Sequence, residues 1–177
     1  NTGTMRRGSV GRGGWFGRFG GKDLEPWSKL MLEEALGTEA LLVGRTTDEW
    51  FGTRWNSRSG EWADRLNALP KYVASTTLHD PAWANTTVLS DVAAGVRDLK
   101  AGGEGELNVQ GSSNLLQTLQ REGLVDEYRL WACPVVLGRG KRLFASGSTP
   151  RALELVETRA NSKGAVYSVY RTAGPPE

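Results

Sequence analysis

The sequence predicts an α/β fold with a mostly parallel central sheet, flanking helices and a C-terminal antiparallel hairpin. Short apolar runs alternate with segments whose apolar residues recur at helical spacing. The last two β-rich segments surround Asn161 with no helix between them, which is typical of a hairpin. Because βα units come first and the hairpin comes last, we expect parallel strands followed by an antiparallel end.

Each element has its own local signal. The first predicted helix begins at Glu25-Pro26, where proline suits the first turn, and stops at Gly37. The first predicted strand, 40–43, is a continuous apolar run, as expected for a strand buried on both faces. Further strands are predicted at 72–74, 86–89, 106–110, 126–136, 153–158 and 165–170. Helix caps are expected at Thr46 or Thr47 and at Ser90 or Asp91.

The domain organisation is predicted to be simple. Residues 1–22 are a Gly- and Arg-rich leader with little periodicity, expected to be poorly ordered or to form a remodelled first strand. A chain of 177 residues is long enough to bury about 70% of its unfolded surface around one core, and residues 23–177 are expected to form a single domain.

Composition excludes several function classes. The net charge of +2 is too small to indicate a nucleic-acid partner, and no apolar run approaches the roughly 20 residues that span a bilayer. The leader lacks the apolar region of a signal peptide, so a cytoplasmic protein is expected. With His79 as the one histidine and Cys133 as the one cysteine, we expect no Cys/His metal site, and a Ser-His-Asp triad would depend on His79 alone. Cys133 is expected to be a buried structural thiol, and enzymatic reactivity would come from a bound cofactor.

Three strand ends carry small, hydroxylated or basic residues. They are Gly44-Arg45-Thr46-Thr47, Ser75-Thr76-Thr77 and Gln110-Gly111-Ser112-Ser113-Asn114. In an open α/β sheet the carboxyl ends of parallel strands line one edge, where ligands bind. Helix starts at that edge offer unpaired N–H groups to phosphate, although serine and threonine also cap helices without any ligand. The three junctions together fit a dinucleotide, while no G-x-G-x-x-G fingerprint is present.

Longer motifs resemble a known family. The segment 41–51, LLVGRTTDEWF, resembles the strand–GR-T–helix segment of dihydrofolate reductase-like proteins. The segments 109–119 (VQGSSNLLQTL), 123–128 (GLVDEY) and 134–144 (PVVLGRGKRLF) are similar to the reductase domain of the bacterial bifunctional riboflavin-biosynthesis deaminase/reductase. The resemblance covers about residues 38–171, with its motifs in the family's order.

The resemblance implies a dihydrofolate reductase-like fold that binds NADPH and pairs as a homodimer. It assigns Gly44, Arg45 and Thr46 to the cofactor's phosphates, and Ser75, Thr76 and Thr77 to the adenosine 2′-phosphate. It assigns Gly111, Ser112, Ser113 and Asn114, preceded by Gln110, to the pyrophosphate. Asp126 and Glu127 stand at a strand start, where a structural role is favoured over a catalytic one.

The chain departs from this family at its start. Family members begin with an apolar strand that lines the nicotinamide and substrate pocket, whereas 5–14 is basic and Gly-rich. Trp15 and Trp27 are candidates for stacking on a flat substrate ring, and Asp23 or Glu25 for donating a proton.

The leading hypothesis is therefore an NADPH-dependent reductase of a small heterocyclic, pteridine- or pyrimidine-like, or carbonyl substrate. The alternative is a non-catalytic nucleotide-binding or dimeric scaffold protein that retains the fold. A nucleic-acid binder ranks last, because the folded part mixes Arg and Lys with Glu and Asp.

Overall fold

A computed structural model of the protein describes residues 25–103, 105–138 and 140–174. The helices are α1 (Glu25–Gly37), α2 (Arg45–Trp55), α3 (Glu61–Ala68), α4 (Val92–Gly102) and α5 (Ser113–Arg121). The strands are β1 (Thr38–Gly44), β2 (Lys71–Ala74), β3 (Thr86–Leu89), β4 (Glu106–Val109), β5 (Glu127–Ala132), β6 (Leu153–Ala160) and β7 (Val166–Thr172).

The chain divides into two compact units. Ser28–Thr118 form the first unit, and the described residues from Leu119 onward belong to the second. The predicted boundaries, a leader over 1–22 and one domain over 23–177, stay a prediction. The whole leader lies outside the described residues.

The first unit contains a four-stranded parallel sheet in the order β3-β2-β1-β4. Leu41, Leu42 and Val43 of β1 are almost completely buried, which confirms that this apolar run is a strand covered on both faces. Full burial of such a side chain contributes about 1.5–3 kcal/mol each, so β1 is the centre of this unit's stability.

Helices and aromatic side chains cover one part of this sheet. Ala35, Leu41, Leu66, Leu69 and Trp83 form a buried cluster. Phe51, Trp55 and Trp62 are half-buried and pack against it, with the rings of Trp55 and Trp62 centred 5.0 Å apart. The helical spacing of these tryptophans therefore reflects core packing.

Asp48 and Gly52 fix α2 to the segment that follows β2. The carboxylate of Asp48 is fully buried and accepts hydrogen bonds from Ala82 N at 2.7 Å and Trp83 N at 3.3 Å. One turn later, Gly52 packs so closely that a Cβ atom there would lie 2.5 Å from the carbonyl carbon of Ala82. These contacts hold α2 against the segment that follows β2.

The caps of α2 and α4 differ. The residue that caps α2 is Gly44, which has extended backbone and makes no side-chain cap, so the prediction of a cap at Thr46 or Thr47 was wrong. Both threonines lie within the first turn, because α2 already begins at Arg45. The cap of α4 at Asp91 is confirmed, since its carboxylate accepts from Ala94 N at 3.0 Å.

The second unit contains a three-stranded antiparallel sheet in the order β5-β7-β6. The predicted hairpin of β6 and β7 is confirmed, and Asn161 Oδ1 accepts from Lys163 N and Ala165 N in the turn. β5 is shorter than the predicted strand 126–136, because it ends at Ala132 before Cys133 and Pro134. Proline has no N–H to continue the ladder, and Val135 N instead donates to Cys133 O in a tight turn.

Candidate functional site

The carboxyl ends of three neighbouring strands meet at one edge of the parallel sheet. Gly44 of β1 lies opposite Ala74 of β2 in the register. On its other side β1 pairs with β4, where Leu42 lies opposite Val109. β1 ends two residues later at Gly44, and two residues after the end of β4 stands Gly111. The structure thus brings together the three junctions that the sequence singled out.

Ser112 connects two of these junctions. Its Oγ accepts a hydrogen bond from Gly44 N at 2.7 Å and lies 2.8 Å from Thr47 Oγ1. The two hydroxyl groups share one hydrogen bond, in which either atom could be the donor. The strand-to-helix junction after β4 is therefore fastened to the one after β1 by side chains of the protein itself.

The backbone before α5 is left-handed at two consecutive residues. Gly111 has φ +66° and Ser112 has φ +57°. Glycine adopts this region at no steric cost, but a serine there is uncommon. The conformation directs the hydroxyl of Ser112 toward Gly44 and Thr47, even though its carbonyl accepts the first bond of α5, from Leu116 N at 3.0 Å.

Arg45 links the junction after β1 with the one after β2. Its Nη1 donates to Thr77 Oγ1 at 3.4 Å, and its Nε lies 3.7 Å from Glu49 Oε1. Both partners of the ion pair are 54% exposed, so the pair is screened and worth at most about 1 kcal/mol. Ser75 is occupied locally, because its Oγ accepts from Thr77 N and Leu78 N. This side of the edge presents an exposed guanidinium beside a threonine hydroxyl.

Comparison with known proteins identifies the family. Residues 20–167 match the family model described as the RibD C-terminal domain. The chain belongs to this family. A curated relative, the "Uncharacterized protein YyaP" of Bacillus subtilis (strain 168), is 36% identical over 109 residues, which is 62% of this chain. The match spans 58% of that relative's length, less than two thirds of it.

Two solved structures share the fold of this RibD C-terminal domain protein. A "Putative riboflavin biosynthesis protein" from Shewanella sp. PV-4 superposes with a TM-score of 0.69 at 18% identity, covering 90% of this chain and 86% of the other. A "pyrimidine reductase-like protein" from Corynebacterium diphtheriae gives 0.57 at 13% identity, covering 82% and 80%. The predicted α/β fold class is confirmed.

The structure sorts the predicted cofactor-binding residues of the RibD C-terminal domain into two groups. Contacts across the junctions connect four of them: Gly44, Arg45, Thr77 and Ser112. The others lie on the same three segments: Thr46, Thr76 and Asn114 are exposed, while Ser75, Gln110, Gly111 and Ser113 are half-buried. Their roles in binding stay predictions.

Thr47 belongs to the first predicted junction but was not assigned to the cofactor by the resemblance, and it takes part in the Ser112 contact. No signal in the sequence distinguishes Thr47 from Thr46, because the contact depends on where α2 begins. In a helix that begins at Arg45, Thr47 is the third residue, and its hydroxyl is bonded to Ser112 across the junction, whereas Thr46 is exposed. The mistaken cap hypothesis treated the two threonines as equivalent.

The predicted catalytic and substrate residues lie outside what the structure describes. Asp23 and Trp15 precede the described residues, and Glu25 and Trp27 lie in α1 without described side chains. Glu127 Oε1 accepts from Arg129 Nε at 2.9 Å, and the structural role favoured for Glu127 stays a prediction. Asp126 contributes its backbone carbonyl to Thr172 N at 2.8 Å.

Other reactive groups offer little chemistry. Cys133 is half-buried rather than fully buried as expected, and desolvation raises the pKa of its thiol, which keeps it protonated and weakly nucleophilic. Within the described ranges, no group of three or more His, Cys, Asp and Glu residues could hold a metal ion. No helix in this part of the chain is both long and apolar enough to cross a membrane.

Proposed function

We propose that this protein is an NADPH-dependent reductase that transfers hydride to a small heterocyclic or carbonyl substrate. The observation that carries the proposal is the convergence of the ends of β1, β2 and β4, tied by Ser112 and Arg45. Membership of the RibD C-terminal domain family and reductase-like structural neighbours support an oxidoreductase. Bound NADPH would supply the hydride.

The start of α2 fits a cofactor diphosphate. The first N–H groups of an α-helix have no carbonyl partner within it, and Gly44 provides no side-chain cap for α2. The positive end of the helix dipole favours phosphate at this point. Because Gly44 N is already bonded to Ser112, the proposed donors are the first-turn amides and the hydroxyl of Thr47. The hydroxyls of Thr47 and Ser112 have two hydrogens and use one between them, so when Ser112 donates to Thr47 the hydrogen of Thr47 is left for phosphate.

Arg45 and Thr77 fit the additional phosphate that distinguishes NADPH from NADH. The guanidinium is exposed and already within hydrogen-bond distance of the Thr77 hydroxyl. A cation and a hydroxyl on adjacent strand ends give charge-assisted hydrogen bonds to a phosphate monoester. Glu49 stands beside Arg45, so binding a phosphate would require the guanidinium to exchange one anionic partner for another.

The substrate side of the proposal concerns the start of the chain. We propose that Trp15 and Trp27 stack on a flat substrate ring and that Asp23 or Glu25 donates a proton to it. A pyrimidine- or pteridine-like ring suits such stacking, and one structural neighbour is named pyrimidine reductase-like.

Cofactor titration followed by a turnover assay tests the proposal. Nicotinamide fluorescence during titration should give saturable binding of NADPH with a lower Kd than that of NADH. Absorbance at about 340 nm should then fall when pteridines, pyrimidinones or small carbonyl compounds are supplied. Binding without turnover would identify the non-catalytic nucleotide-binding alternative, and the absence of NADPH binding would refute the proposal.

We also propose that the protein pairs as a homodimer, as the family resemblance implies. Support comes from Leu153, Leu155 and Val156 of β6, which are exposed apolar residues on an edge strand. Analytical ultracentrifugation should give twice the monomer mass, and Leu155→Lys should shift the protein to monomer. A wild-type protein that sediments as a monomer at tens of micromolar would contradict the pairing.

A further inference from the structure

We propose that Ser112 is a positioning residue for the cofactor site: its hydroxyl holds the starts of α2 and α5 at the separation that a diphosphate requires. The inference rests on the proposed function and concerns how that site is built. We call the contact of Ser112 with Gly44 N and Thr47 Oγ1 the Ser112 clamp.

The clamp diverts Ser112 from the role that a serine normally has at a helix start. A serine in this position ordinarily has extended backbone and accepts from an N–H of its own helix. Here φ is +57°, and the hydroxyl instead bonds to the neighbouring junction. A non-glycine residue in this region is strained, and such strain persists only where the surroundings impose it. The bonds to Gly44 and Thr47 are the interactions that compensate for it.

Burial makes the clamp specific. Ser112 is 9% exposed, and a Cβ atom on Gly44 would lie 3.2 Å from its Oγ. The hydroxyl therefore fills the space beside Gly44 and satisfies its N–H. It follows that Ser112 acts on the cofactor by holding Gly44 and Thr47 in place.

Ser112→Gly is the variant that separates this role from folding. Glycine removes the hydroxyl but adopts a left-handed backbone without strain, so the loop should keep its path. We expect the Kd for NADPH to rise about 10-fold, equivalent to the loss of one good hydrogen bond. Adenosine 2′-monophosphate, which lacks the diphosphate, should bind the variant as it binds wild type. Thr53→Ala is the matched control, because it removes an exposed hydroxyl of α2 that bonds only to its own helix, and it should change neither Kd.

Amide hydrogen exchange tests the clamp without any cofactor. In Ser112→Gly the Gly44 N–H loses its acceptor and should exchange at least about 10-fold faster. The Val169 amide, in the antiparallel sheet of the second unit, should exchange at its wild-type rate. Unchanged exchange at Gly44 would overturn the clamp, and so would an equal loss of affinity for NADPH and for adenosine 2′-monophosphate. A third outcome combines faster exchange at Gly44 in Ser112→Gly with a wild-type protein that does not bind NADPH. That result would refute the proposed function and the positioning role, while the contact itself would be established.

Discussion

The two compact units bury their apolar strands to different degrees. In β1 of the first unit, Leu42 and Val43 are completely buried, whereas in β6 of the second unit Leu155 is 52% exposed and Val156 47% exposed. Both strands carry leucine and valine, so residue type does not explain the difference. β1 lies inside a parallel sheet and β6 at the edge of an antiparallel one. The comparison indicates that tight packing is concentrated in the first unit, which also carries the candidate site.

The largest expected effect tests the packing of the first unit. Gly52→Ala should lower the free energy of unfolding by about 3 kcal/mol, because its Cβ would lie 2.5–2.6 Å from the backbone of Ala82 and Trp83. Urea denaturation followed by tryptophan fluorescence measures this. Gly102→Ala is the control, since nothing lies within 4 Å of its Cβ, and it should cost nothing or stabilise by about 0.5 kcal/mol. Equal stability of the two variants would show that α2 is not held tightly against this segment.

The sequence predicted backbone elements better than side-chain partners. The apolar run of β1, the Asp91 cap and the Asn161 hairpin were predictable, because each depends on local pattern. The contact of Ser112 with Gly44 joins residues 68 positions apart, and nothing in the spacing of either segment indicates that their atoms meet. That β5, β6 and β7 form a sheet of their own was not predicted, for a related reason. The pairing of β5 with β7 joins segments that are distant in the sequence, so no local pattern indicates it.

A second comparison is between a buried cation of the first unit, Lys71, and an exposed one, Arg45. Lys71 is 1% exposed, its Nζ donates to Asn67 O at 3.0 Å and Leu69 O at 2.6 Å, and it lies 4.8 Å from the centre of the Trp83 ring. Desolvation lowers the pKa of Lys71 to about 8, although the charge of Asp48 opposes the shift. The side chain of Arg45 is 54% exposed, so its guanidinium remains in contact with water.

The pH dependence of stability should reveal the buried Lys71. Its pKa in the folded state is below the 10.5 of the unfolded chain, so the unfolded state binds more protons between these values and stability rises with pH there. Relative to Lys71→Met, wild type should gain about 2 kcal/mol between about pH 7.5 and about pH 9.5. Urea titrations of both proteins measure this difference. Burial also raises the pKa values of Tyr128 and Cys133, but both proteins contain these residues, so their contributions to the pH dependence cancel in the difference. If the free energies of unfolding of the two proteins change equally with pH, the ammonium group of Lys71 is hydrated in the folded state.

Replacing Arg45 should change cofactor specificity with little change in stability. Arg45→Ala should reduce the preference for NADPH over NADH by about 10-fold, or about 1.4 kcal/mol, because a charge-assisted contact to the additional phosphate is lost. Paired fluorescence titrations with the two cofactors measure the ratio. Arg54→Ala removes an equal charge from the same helix, where the guanidinium stacks 3.9 Å from the centre of the Trp50 ring, and should leave the ratio unchanged. If Arg54→Ala lowers it as much, general electrostatics and not Arg45 would set the preference.

The smallest expected effect concerns β6 and returns to the first comparison. In dilute protein, Leu155→Ala should cost no more than about 0.5 kcal/mol, because half of the side chain already faces water. Leu42→Ala, the matched change in β1, should cost about 3 kcal/mol through lost burial and a cavity. Repeating the urea titration at increasing protein concentration adds a second readout, since pairing through β6 would make the cost of Leu155→Ala grow with concentration. A large, concentration-independent cost would mean that Leu155 is covered within a single chain, and the contrast between the two strands would then disappear.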